Sequence, residues 1–186
     1  GAVEDRPGVV DGLTRQLSQI GWHIRDIVGG FFERLSQRSN DVTPSEAATA
    51  FRRAAPASFS TTSYVEVQVI KRFLSIAEQF QLPFKIRESL LQENLPAALK
   101  KLAKQNTEED PYNLEYHALR DLLNAYPAAV SAALEPIRQW LSNEAAEGRL
   151  SRPHAYTVMA LGNPAELVFD PTIRPALAKQ LQRSAL

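Results

Sequence analysis

The sequence predicts an all-α fold: an irregular multi-helix bundle of about eight or nine helices with one long amphipathic helix at the N-terminus. Three observations lead there. Six of the eight glycines lie at or before Gly30, and none falls between Phe31 and Glu147, whereas the tight turns and bulges of β-rich folds draw on glycine at positive φ. Proline follows cap-forming side chains in Thr43-Pro44, Asp110-Pro111, Asn163-Pro164 and Asp170-Pro171. That is the order of an N-cap and a first helical residue whose missing N–H is not needed. Val10, Leu13, Leu17, Ile20, Ile24, Ile27 and Phe31 recur three and four residues apart, the rhythm of one apolar helix face.

Taken in order, that stripe predicts a helix of about 29 residues over positions 8–37, roughly 44 Å long at ~1.5 Å per residue. Val28 and Phe32 widen its apolar face. Gly21 and the Gly29-Gly30 pair weaken it by about 1 kcal/mol per glycine relative to alanine. A polar linker covers 36–41. Thr43-Pro44-Ser45-Glu46 has the spacing of a capping box and opens a helix expected to end near Ala55, before a loop from Pro56 to Thr62. Ser63-Tyr64-Val65-Glu66 repeats the spacing and opens a helix to about Phe80. Its first residues alternate as a strand would, but Lys71 to Glu78 do not, which favours the helix.

Pro83 begins the next helix, which Pro96 kinks or divides. An acidic break at 105–110 precedes helices over 111–125 and 127–147, the second containing Pro136 and stopped by Gly148. Three short helices, 153–161, 164–169 and 171–184, complete the chain. The expected organisation is a long helix over residues 1–38 with a compact bundle over 39–186 packed on it, one domain overall. No fixed repeat period is present.

The 186 residues are 44% apolar and 23% charged, a globular composition. Lys plus Arg and Asp plus Glu both count 21, which argues against nucleic-acid binding through bulk charge. Cysteine is absent, excluding disulfides, thiolate metal sites and cysteine nucleophiles. Phosphate-cradling GxGxxG and GxxxxGK[ST], the nucleophile elbow GxSxG and the zinc motif HExxH are all missing. His23, His117 and His154 stand far apart. The chain is therefore expected to be no enzyme and to use no cofactor and no metal. No apolar run approaches the ~20 residues that span a bilayer. Gly1-Ala2 reads as a processed or added start, and no compartment follows from it.

The function expected is a non-catalytic interaction module, an adaptor, scaffold or effector-type domain, whose partner is another protein. A lipid or membrane surface is the weaker partner, since Asp11, Asp26 and Glu33 offset the arginines of the first helix. Candidate surface residues are Trp22, Val28, Phe32 and Leu35, with a lysine patch at Lys100, Lys101 and Lys104. The alternative is a carrier of an apolar ligand in a cavity lined by Phe73, Phe80, Phe84, Leu90 and Leu91. Trp140 to Glu144 fits WxxxE, a pattern similar to one in bacterial effectors that act on small GTPases. There the pair braces the fold, so Trp140 and Glu144 are candidate structural residues, a WxxxE-type regulator of a small GTPase is the third function expected, and core packing of Trp140 is favoured. His117 and Asp121, four apart, form a surface helix pair rather than an acid–base couple. Leu119-Arg120-Asp121-Leu122-Leu123 fits LxxLL, and its leucines are expected in the core.

Overall fold

The structure is a computed structural model, and it describes residues 5–19, 34–35, 37–60, 66–105 and 114–184. Helices joined by turns make up these residues, which include no strand. The all-α class holds. The helices delimited among them are α1 (Pro7–Ser18), α2 (Pro44–Ser60), α3 (Glu66–Gln79), α4 (Phe84–Gln105), α5 (Leu114–Leu123), α6 (Pro127–Ala146), α7 (Arg152–Ala160), α8 (Ala165–Val168) and α9 (Ile173–Ser184). The chain divides into two compact units, Gly1–Asn94 and Leu95–Leu186, with the division inside α4.

The long opening helix is not found. α1 has 12 residues and ends at Ser18, where the Gln19 N–H turns back to the carbonyls of Gln16 and Leu17. Two hydroxyls weaken the ladder just before this end: Thr14 Oγ1 donates to the Val10 carbonyl and Ser18 Oγ to the Thr14 carbonyl, both at 2.7 Å. Such back-bonding competes with helix propagation. The apolar rhythm holds within α1, where Val10, Leu13 and Leu17 are buried. Ile20, Ile24, Ile27 and Phe31 lie outside the described residues.

In the first unit, α1 packs chiefly on α2. The paired positions advance together along both helices: Arg6 meets Glu46, Arg53 meets Asp11, and the buried Ser58 hydroxyl donates to the Leu17 carbonyl at 2.8 Å. The two helices therefore run parallel. Ala47, Ala50, Ala54 and Ala55 form the inner face of α2, and these short side chains allow close approach. Phe51 projects from the same face and meets Phe73 of α3 edge-on at 4.8 Å and Phe80 at 5.9 Å, the arrangement ring quadrupoles favour.

Glu46 joins the two helix starts. Its carboxylate accepts the Thr43 N–H at 3.1 Å while the Glu46 N–H donates to Thr43 Oγ1 at 3.2 Å, the reciprocal box expected from the sequence. The same carboxylate accepts the backbone N–H of Arg6 at 3.2 Å and its guanidinium at 3.2 and 3.1 Å. The Arg6 guanidinium, then the Thr43 N–H, hold the Glu46 carboxyl at about 2.

The expected loop at Pro56 is instead helix. Pro56 lies inside α2 and faces solvent, so the carbonyl deprived of its helical partner is that of exposed Arg52. Buried Ser58 holds the chain helical beyond the ring. Pro96 and Pro136 likewise sit inside α4 and α6, both of which continue through them. α3 is helical, as its second half predicts, and Ser63 to Val65 fall outside the described residues. It ends with Gln81 at φ 62° and the Leu82 N–H on the Ala77 carbonyl at 3.0 Å, a left-handed cap of Schellman type.

In the second unit, α6 buries Ala129, Ala133, Ile137 and Leu141 and ends where the glycine places its stop. Gly148 takes φ 71°, and the Arg149 N–H reaches the Glu144 carbonyl at 2.8 Å. α7 closes the same way at Gly162, φ 88°, with the Asn163 N–H on the Val158 carbonyl at 3.0 Å. Asn163 itself is left-handed at φ 51°. It thus completes α7 rather than capping α8, for which Pro164 is the N-cap and not the first helical residue. Asp170 does cap α9: its Oδ1 accepts the Thr172 and Ile173 N–H groups at 2.9 and 3.0 Å, and its Oδ2 accepts Arg138 of α6 at 3.1 Å. Tyr116 of α5, fully buried, packs on Tyr156 of α7 with ring centroids 5.6 Å apart.

Thr43→Ala removes the hydroxyl half of the box and is expected to destabilise α2 by about 1 kcal/mol, read as faster hydrogen exchange in its first turn. The Glu46 carboxyl titrates at about 2 folded against 4.5 ordinarily. The stability it contributes is thus complete above about 4.5 and is lost as pH falls through about 2. Amide protection in α1 and α2 should fall over that window in the wild type and change less in Glu46→Gln.

Candidate functional site

Three helices of the second unit enclose a recess. Pro153 opens α7 behind Ser151, Gly162 and Asn163 turn the chain into α8, and Asp170 starts α9. Between these helices lies a half-open groove of about 550 Å³, lined by Ala155, Tyr156, Val158 and Met159 of α7, Val168 and Phe169 at α8, and Leu177, Ala178 and Leu181 of α9. Arg152, Asn163, Arg174 and Gln180 supply its polar atoms, and no carboxylate lines it. Its volume lies within the range of ligand pockets, roughly 300–1,000 Å³.

Two of its side chains are conspicuous. Phe84, Phe169 and Leu181 are the large hydrophobic residues left exposed among those described, and Phe169 (64%) and Leu181 (65%) both belong to this groove. The Arg174 guanidinium lies over the Phe169 ring, 5.6 Å from its centroid. The groove walls are held from behind by polar contacts. Gln180 Nε2, buried in α9, donates to the Leu150 carbonyl at 2.9 Å. Burial pushes the Asp170 carboxyl up, but the Ile173 and Thr172 N–H groups and Arg138 outweigh it and hold it below its ordinary value.

No protein-family model, curated protein or solved structure matches this chain.

The residues singled out in the sequence are distributed elsewhere. Trp22, Val28 and Phe32 lie outside the described residues. Leu35 is 1% exposed, a core residue and not part of an open face. Lys100 and Lys104 are exposed on α4 and Lys101 is half-buried. Phe73, Phe80, Leu90 and Leu91 are buried together in the first unit, whereas Phe84 is 44% exposed with Arg87 over its ring. Phe51 packs edge-on against Phe73 and Phe80, and none of the five lines this groove or the two smaller hollows, of about 440 and 270 Å³.

Trp140 packs on the His154 ring, 5.2 Å between centroids, while Glu144 pairs with Arg149 at 3.2 Å. His117 and Asp121 are exposed on α5. Leu119 and Leu123 of the LxxLL segment are in the core, with Leu122 half-buried beside them. Among the described residues no three His, Asp or Glu side chains come together as a metal site would require. Phe169, Arg174 and Leu181 are not among the candidates the sequence offers. Their signal lies in α9, where Arg174, Ala178 and Leu181 recur four and three apart beside the core-facing Ile173 and Leu177, a second face beyond what one core needs.

His154 anchors the α7 wall. Its Nδ1 accepts the Ser151 N–H at 2.9 Å, in the place that Glu or Gln takes in the usual box. Burial lowers its pKa from 6.5, opposed by the negative charge of Glu144 on α6. The neutral ring is thus the folded form: its contribution is complete above 6.5 and is lost as pH falls below it. Acidification from about pH 7.5 to about pH 5.5 should speed hydrogen exchange in the first turn of α7. His154→Gln, which accepts the same N–H without titrating, should flatten that response.

Proposed function

We propose that this chain is a non-catalytic protein-interaction module that receives an apolar segment of a partner protein in the groove between α7, α8 and α9. The observation that supports it is the concentration of exposed large hydrophobic side chains: Phe169 and Leu181 flank one recess whose walls are overwhelmingly apolar. Isolated exposed apolar residues are ordinary on a surface, and two that flank one apolar recess are what supports a docking role here. Aromatic and arginine side chains side by side, as Phe169 and Arg174 are, are the types that dominate interface energetics.

The same apolar groove would also suit the alternative, an apolar ligand. Its openness favours a polypeptide, because small-ligand sites bury most of the surface of what they hold.

Selection of peptides against the immobilised chain from a display library tests the proposal. Selected peptides should map by hydrogen exchange to residues 152–181. Leu181→Asp and Phe169→Asp, both at exposed positions and expected to keep the wild-type helical circular dichroism, should each weaken them about tenfold or more, ~1.4 kcal/mol. Binders that map elsewhere, or that bind both variants as they bind the wild type, would overturn it.

A further inference from the structure

We infer that the segment received by the groove is an amphipathic helix bearing carboxylates, with its acidic end at Arg174 and its apolar face on Ala155, Met159, Ala178 and Leu181. This rests on the docking reading above and adds the chemistry of the partner.

The chain as a whole is neutral, yet α7 and α9 contain Arg152, Arg174 and Lys179 and not one Asp or Glu, and Glu166 of α8 is not among the residues that line the groove. Asp170, at the start of α9, is taken up by two N–H groups and Arg138. Arg174 is exposed and makes no ion pair among the described residues. Its guanidinium carbon lies 5.6 Å from the Phe169 ring centroid, and a guanidinium not taken up by an acid binds a carboxylate through two N–H groups at once.

Arg174, Ala178 and Leu181 follow one another at four and three residues, so the open side of α9 presents a cation, a small residue and a leucine along one line. Ala178 in the middle allows a second helix to approach closely, and α7 supplies the opposite wall. A helix ~10 Å across lies in such a trough with residues at i, i+3, i+4 and i+7 directed inward.

The same features disfavour the other occupants. A second copy presenting its own groove sets arginine against arginine across a lining that holds no carboxylate. An anionic membrane offers charge, but surface-seeking helices insert a convex apolar face, and this apolar surface is recessed.

The test uses short fluorescent peptides with one leucine pattern, flanked by glutamates in one and lysines in the other, titrated into the full chain by anisotropy. The acidic peptide should bind about tenfold or more tightly than its lysine counterpart, and added salt should narrow the gap. Arg174→Glu should erase or reverse the preference, Arg174→Gln should reduce it, and Leu181→Asp should remove binding of both. Equal binding of the two peptides, still lost in Leu181→Asp, would overturn the acidic partner while leaving the docking reading intact. An acidic peptide with a central proline binding equally well would overturn the helix. Failure of every peptide alongside Arg174-dependent binding of parinaric acid or phosphatidylserine vesicles, or dimerisation lost in Leu181→Asp, would overturn both.

Discussion

A chain cut into many short helices must satisfy a large number of helix-end backbone groups, because each helix leaves four N–H and four C=O groups without a partner inside it. This requirement governs the structure more than any single core contact. Glu46 satisfies the start of α2 and reaches across to Arg6 at the start of α1. Asp170 caps α9 and ties it to α6 through Arg138. His154 takes up the Ser151 N–H before α7 and packs on Trp140 of α6. Left-handed residues at Gln81, Gly148 and Gly162 return N–H groups to the carbonyls behind them. For Glu46, Asp170 and His154, closing a helix end and fixing a neighbouring helix are one event.

The fold class is legible in the sequence because caps and stops are local. Thr43 with Glu46, Asp170 before Pro171, and Gly148 all act within a few residues, and each stands where the spacing puts it. Where the outcome depends on packing, local signals mislead. The apolar rhythm of residues 10–31 implies one rod, but the described helix stops at Ser18, where hydroxyls compete for its carbonyls. Pro56 implies a loop, yet its ring faces solvent and Ser58 bonds to α1 just beyond it.

The site is less legible than the fold. Phe73, Phe80, Leu90 and Leu91 have the composition of a cavity lining, and all four are buried, with Phe51 packed edge-on against Phe73 and Phe80. Composition does not say whether bulky side chains leave room between them or fill it. The groove of the second unit depends on three helices with almost no sequence between them, set by turns at Gly162 and Asp170. Its signal is an absence, the lack of acidic residues in α7 and α9, together with a leucine on the wrong side of α9 for the core.

The prolines within α2, α4 and α6 carry a consequence of their own. These are the longest helices delimited, at 17, 22 and 20 residues, and each contains one ring at an interior position. The ring makes each helix less regular, but it also lacks the donor that an intermolecular sheet needs at every other position. Apolar segments that unfold transiently are thereby poor templates for fibril growth. The irregularity of the helices is a safeguard for the chain when it is not folded.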